Sequence, residues 1–179
     1  MIKNVSFFGS SEVKPGSEDY DAAYQTAKLL AQNGYLIING GGPGIMKASS
    51  EGAKAGGGES IGISFNPKDM THFEGRDPTN PVSQEIMLDN YLERTLKILE
   101  MGDIYVIFKG GTGTISEFGM AWGLARLYFG HHKPLILYGS FWHDILEAFG
   151  RGMLIRPEEI RVYRIVTKPQ EVLEEIQEL

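Results

Sequence analysis

The sequence predicts an α/β protein, a doubly wound and mainly parallel sheet with helices on both faces, for three reasons. Short β-rich apolar runs alternate along the chain with longer segments of helical period, the pattern of successive βα units joined by right-handed crossovers. Three of those runs end in glycine or serine just before a helix: 5–8 into Gly9-Ser10-Ser11, 35–39 into Gly40-Gly41-Gly42, and 104–108 into Lys109-Gly110-Gly111. Open parallel sheets bind ligands outside the carboxyl ends of their strands, so these loops are expected to line one crevice. A chain of 179 residues, 42% of them hydrophobic, suffices for one core, and residues 1–179 are expected to form a single domain.

Each element has a local reason. After the first strand, Ser17 is placed to cap a helix reaching Asn33, with Ala22, Ala23, Ala27, Leu30 and Ala31 on one face and Gly34 as its stop. Pro43, whose ring presets φ and has no N–H to satisfy, opens a helix over about 44–55. Residues 61–64 make a third strand. From 66 to 81 the chain is polar, lacks periodicity and carries Pro67, Pro78 and Pro81; it reads equally as a lid over the crevice or as a plain surface excursion. A helix is predicted over 83–101, leading into the strand at 104–108 and a helix over 114–129. A strand at 135–138, a helix near 142–149, a strand at 162–166 and a last helix complete the alternation. Thr167 and Gln170 form a capping-box pair for that last helix, whose buried stripe is Val172, Leu173, Ile176 and Leu179.

The loop at 109–117 carries the most chemistry. A strand that delivers glycines to a helix N-terminus makes an anion site, because backbone N–H groups converge there and the helix dipole favours negative charge. Glu117 lies one turn into the helix, near any sugar attached to a phosphate held at that terminus. The alternative is structural: with Thr114 as N-cap, Glu117 is N3 and its carboxylate closes a capping box. On the helix at 83–101, Leu88, Leu92, Thr95, Leu96 and Leu99 form a stripe expected to face the sheet. Met87, Tyr91, Arg94 and Ile98 form the adjacent one, bordering the crevice. Tyr91 is there a candidate to stack on a nucleobase, or an ordinary core or interface aromatic.

Three segments together resemble the LOG family, the cytokinin riboside 5′-monophosphate phosphoribohydrolases, whose bacterial members carried the label lysine decarboxylase-like. They are Phe8-Gly9-Ser10-Ser11 before Tyr20-Asp21-Ala22-Ala23, then residues 40–46 (Gly-Gly-Gly-Pro-Gly-Ile-Met), then residues 110–117 (Gly-Gly-Thr-Gly-Thr-Ile-Ser-Glu). The family signature is Pro-Gly-Gly-x-Gly-Thr-x-x-Glu, preceded by a helix carrying Met-His-x-Arg-Lys. Arg94 stands at the family's arginine with the family's spacing to Glu117. The chain departs from the pattern at Lys109 for proline, Leu92 for histidine and Thr95 for lysine, which marks a divergent member.

The resemblance implies a Rossmann-like fold and hydrolysis of the N-glycosidic bond of a nucleoside 5′-monophosphate, AMP-like or cytokinin-like, to free base and ribose 5-phosphate. The alternative it leaves open is a nucleotide-binding or sensing protein of the same fold without hydrolase activity. Glu117 and Arg94 are then the catalytic pair, the arginine orienting the carboxylate, keeping it ionised or holding the phosphate. Gly110, Gly111, Thr112, Gly113 and Thr114 are expected to cradle the phosphate, with Ser10, Gly41 and Gly42 closing the site. Lys109 adds a flexible cation near the mouth, expected to bear on which phosphorylated ligand binds or simply to point to solvent. A homodimer or higher homo-oligomer is expected, with the Arg94 helix near the interface.

Composition excludes several other classes. The net charge of −6 argues against a nucleic-acid surface, so phosphate recognition has to be local. With no cysteine there is no disulfide, thiolate metal site or cysteine nucleophile. The first βα turn lacks Gly-x-Gly-x-x-Gly, and no Gly-Lys-Ser/Thr follows a glycine loop. His131-His132 has no ligand-spaced partner, and no lysine context supports pyridoxal phosphate, so neither metal nor cofactor is expected. Without a charged-then-apolar leader or a bilayer-length apolar run, no membrane partner and a cytoplasmic location are the expectation.

Overall fold

The computed structural model describes residues 2–67 and 76–179. Seven strands form one sheet, all paired in parallel: β1 (Asn4–Phe8), β2 (Leu36–Asn39), β3 (Ser60–Phe65), β4 (Gln84–Leu88), β5 (Ile104–Ile107), β6 (Leu135–Tyr138) and β7 (Tyr163–Val166). Their order is β4-β3-β2-β1-β5-β6-β7. The chain winds outward from β1 in one direction and, from β5, in the other, so the order reverses between β1 and β5. At such a switch point the loops after the two strands part and leave a crevice.

Alternation along the strands sets the two layers. Val5 and Phe7 of β1, Ile104 and Val106 of β5 and Ile136 of β6 face a core shared with α1 (Glu18–Gln32), α2 (Ile45–Ala55) and α6 (Pro169–Gln177). Phe8, Tyr105, Ile107, Leu135 and Leu137 face the opposite core, shared with α3 (Tyr91–Met101), α4 (Thr112–Leu127) and α5 (Trp142–Gly152). Period-two side-chain direction therefore gives β1 and β5 an apolar residue on each face, as strands buried on both sides require.

Several local features differ from the sequence expectation, among them the start of α2, whose N-cap is Gly44 and not the residue before Pro43. The helix predicted over 83–101 is a strand followed by a helix: β4 is an edge strand of mixed exposure, and α3 starts only after Asn90, whose side chain accepts from the Glu93 N–H. A pairing partner in β3 overrides the local helical pattern of 84–88, and the Asn90–Glu93 pair was the available start signal. The buried face of α3 is Arg94, Thr95, Ile98 and Leu99, whereas Leu92 and Leu96 are 64% and 56% exposed. The last helix is capped one residue later than expected, with the Glu171 carboxylate accepting from the N–H groups of Thr167 and Lys168, and Leu179 lies exposed beyond it. Ser17 does cap α1, accepting from the Tyr20 N–H, and Gly34 follows it at φ 83°.

Candidate functional site

A cavity of about 410 Å³ opens at the switch point, within the usual range of small-ligand sites. The loop after β1 supplies Gly9 to Glu12, β2 leads to Gly40, α3 supplies Tyr91 and Arg94, and α4 supplies Thr112 to Thr114 and Glu117. Met46 and Phe65 complete its wall; neither was expected from the sequence, because nothing local ties a methionine in α2 or a phenylalanine closing β3 to this crevice.

The helix that carries Glu117 begins earlier than predicted. Gly111 is the N-cap of α4 and Thr112 its first residue, and the first helical bond runs from Ile115 N–H to Gly111 C=O. The N–H groups of Thr112, Gly113 and Thr114 thus have no intrahelical acceptor and stand at the positive end of the dipole, on the cavity wall. This start also overturns the capping-box alternative. Glu117 sits in the second turn, too far along to reach an N-cap amide, and its carboxylate meets Arg94 instead.

Arg94 and Glu117 are both buried, 5% and 6% exposed, with Nη1 and Oε1 3.4 Å apart. The guanidinium is held by more than the carboxylate. Its Nε donates to the Ile63 carbonyl at 2.9 Å, and Nη2 donates to the Gly40 carbonyl at 3.2 Å and lies 3.5 Å from the Met46 sulfur. Burial pushes the Glu117 carboxyl up to about 7, and the Arg94 charge opposes that rise without cancelling it. The contact is longer than the 2.7–2.9 Å of a strong charge-assisted bond, so the attraction does not match the cost of removing a carboxylate from water. The result is an acid that changes protonation near neutral pH at the floor of the cavity.

The other residues singled out in the sequence fall in two groups. Tyr91 lines the cavity, its hydroxyl 2.6 Å from Ser116 Oγ and its ring edge-on to Phe65 at 6.1 Å. Ser10, Gly111, Thr112, Gly113 and Thr114 line it too. Gly41, Gly42, Gly110 and Lys109 do not. The Gly41 N–H donates to Asn39 Oδ1, its carbonyl accepts from Asp77 N–H, and the Gly42 carbonyl accepts from Asn80 Nδ2, so this turn serves the 77–80 segment. The first N–H of α2 is likewise taken, since Ile45 donates to the Ser10 carbonyl, an approach that only glycine at position 44 permits. Gly110 packs beneath the loop against Thr114, and the Lys109 ammonium lies 5.8 Å over the Phe141 ring. Of the lid candidate, residues 68–75 lie outside the described residues; Asp77, Thr79 and Asn80 are tied down by Lys47 and the glycine turn.

The open N-terminus of α4 and the buried Arg94–Glu117 pair thus meet at the switch point of a doubly wound, Rossmann-like sheet. The chain belongs to the SLOG cluster4 family, which it matches over residues 2–149. It is 31% identical to an uncharacterized protein of Archaeoglobus fulgidus over 138 residues, 77% of this chain and 85% of that protein. It is 29% identical to the cytokinin riboside 5′-monophosphate phosphoribohydrolase of Mycobacterium tuberculosis, over 77% of this chain and 72% of that protein, which makes it a divergent LOG-type member. In fold it is similar to the molybdenum cofactor binding protein of Rippkaea orientalis, with a TM-score of 0.76 and 23% identity over 99% of this chain and 97% of that one. Among the described residues no cluster of His, Asp and Glu could hold a metal, and no helix is long and apolar enough to cross a membrane.

Proposed function

We propose that the cavity binds a nucleoside 5′-monophosphate and hydrolyses its N-glycosidic bond to free base and ribose 5-phosphate. The observation that carries this reading is the Glu117 carboxyl, buried and poised near neutral pH, one turn from the free N–H groups of Thr112, Gly113 and Thr114. Those groups hold the 5′-phosphate, which sets the ribose over Glu117. As the bond from C1′ to the base breaks, its electron pair leaves with the base and positive charge grows on the ribose ring, which the carboxylate stabilises. Water bonds to C1′, Glu117 takes its proton, and the departing base acquires a proton in turn. Arg94 keeps its proton throughout and orients the carboxylate. Tyr91, with Phe65 behind it, offers the base an aromatic wall.

The same reading treats the whole chain as one functional unit with a small-molecule nucleotide as its partner, working in the cytoplasm, the net charge of −6 disfavouring nucleic acid. It also assigns the exposed Leu92 and Leu96 of α3, with Leu124 and Tyr128 beyond them, to a two-fold contact with a second copy. The groove between α3 and the end of α4 is largely apolar, with Glu93, Glu100, Lys97 and Lys133 at its rim, so one patch carries both signs of charge and can face its own copy without net repulsion.

The test is purified protein incubated with a panel of nucleoside monophosphates, with base release followed by HPLC. Glu117→Gln should lower release by roughly 100-fold or more while AMP still binds. Wild-type turnover in that variant removes Glu117 from the chemistry. A second reading, a binding or sensing protein without turnover, is favoured by the likeness to a fold neighbour named for binding a cofactor. AMP that binds wild type and stays intact would establish it.

A further inference from the structure

We propose that Gly40 is a positioning residue of this site: the space where its side chain would lie is the space the Arg94 guanidinium occupies. A Cβ built on Gly40 would stand 1.5 Å from Arg94 Nη2, 2.6 Å from Cζ and 2.8 Å from the Met46 sulfur. Real Cβ contacts do not fall below about 3 Å, so even alanine requires the guanidinium to move. Gly40 is also one of the groups that hold it, through its own carbonyl. The residue therefore acts twice on one side chain, by making room for it and by binding it. Its φ lies outside the left-handed region, so backbone freedom does not account for a glycine here.

The geometry limits where Arg94 can go. Nε is bonded to the β3 carbonyl of Ile63 and Nη2 to the loop after β2, which leaves the Nη1 edge toward Glu117 and the cavity. Displaced from Gly40, the guanidinium loses the carbonyl that anchors Nη2 and the register that sets Nη1 at 3.4 Å from the carboxylate. Among the described residues, the other titratable groups facing the cavity are Tyr91 on α3 and Glu12 in the loop after β1. Arg94 is the group whose charge opposes the effect of burial on Glu117, so moving it leaves burial less opposed and Glu117 gives up its proton at higher pH. The inference deepens the proposed hydrolase reading, but it concerns a titration that needs no turnover.

The experiment is a pH titration of the Glu117 carboxyl by carbon-13 NMR in wild type, Gly40→Ala, Arg94→Ala and the double variant. In Gly40→Ala the midpoint should rise by about one unit or more, toward that of Arg94→Ala, as expected when an opposite charge within a few ångströms is displaced. In the Arg94→Ala background, adding Gly40→Ala should leave the midpoint in place. A wild-type midpoint in folded Gly40→Ala overturns the proposal, as does a further shift in the double variant. Should Gly40→Ala fail to fold, recovery of folding in the double variant supports the collision with Arg94, and failure of both overturns it. Absence of base release from wild type with these midpoints as expected refutes the hydrolase reading and leaves the role of Gly40 intact.

Discussion

Replacing Glu117 by glutamine should stabilise the folded protein at alkaline pH, and the size of the effect follows from its burial. The carboxyl moves from the ordinary 4.5 to about 7 on folding. An acid whose folded value is raised binds its proton more tightly in the native state, so folding loses stability as pH rises from 4.5 to 7 and nothing further above it. At about 1.4 kcal/mol per unit, the ionised carboxylate costs roughly 3 kcal/mol at pH 8 relative to strongly acid solution, and most of that, roughly 2–3 kcal/mol, falls between pH 5 and 8. Glutamine keeps the shape and an acceptor for Arg94 without a proton to lose. Its stability should hold level with respect to this group, giving a gain over wild type that grows from pH 5 to pH 8. For a chain of this size that is roughly 4–8 °C in melting temperature. The lowered carboxylates, Asp77 and Glu85 among them, change stability only below their unfolded values. The lowered His132 weakens folding as pH falls through its ordinary value, equally in both proteins. The difference between the two melting curves therefore isolates Glu117. Parallel curves from pH 5 to 8 would refute the claim that this carboxylate is buried at a cost.

Three further outcomes are expected. Asn39→Ala should cost about 2 kcal/mol in urea unfolding, because it leaves the buried Gly41 N–H without its acceptor and removes the donor to the Ser49 and Ser50 oxygens, whose hydroxyls keep only their bonds to the Met46 carbonyl; an unchanged midpoint would contradict the network. Lys109→Pro should leave the ratio of AMP to ADP affinity unchanged, since the ammonium rests over Phe141 and does not line the cavity, whereas a selective loss for ADP would place it in the site. Light scattering should show wild type as a dimer and Leu96→Glu as a monomer; a wild-type monomer at working concentration would rule out the α3 contact.

The alternation of elements, six of the seven strands, the cap of α1 and the three glycine or serine junctions were legible from local sequence, because each depends on neighbours within a few residues. Arg94 and Glu117 were legible as a pair only through a family pattern, since 23 positions separate them and no local rule brings them to 3.4 Å. Tertiary structure decided the rest. β4 exists because β3 offers its edge to residues 84–88, a partner that local helical propensity cannot foresee. The buried face of α3 includes a charged residue, Arg94, in preference to Leu92 and Leu96, because the carbonyls of Ile63 and Gly40 satisfy the guanidinium there. Of the glycine triplet, Gly40 reaches the cavity while Gly41 and Gly42 turn to Asn39, Asp77 and Asn80, a division set by where those donors and acceptors sit in space. The protonation range of Glu117 belongs to the same class: desolvation and the position of one guanidinium fix it, and both are properties of the folded chain.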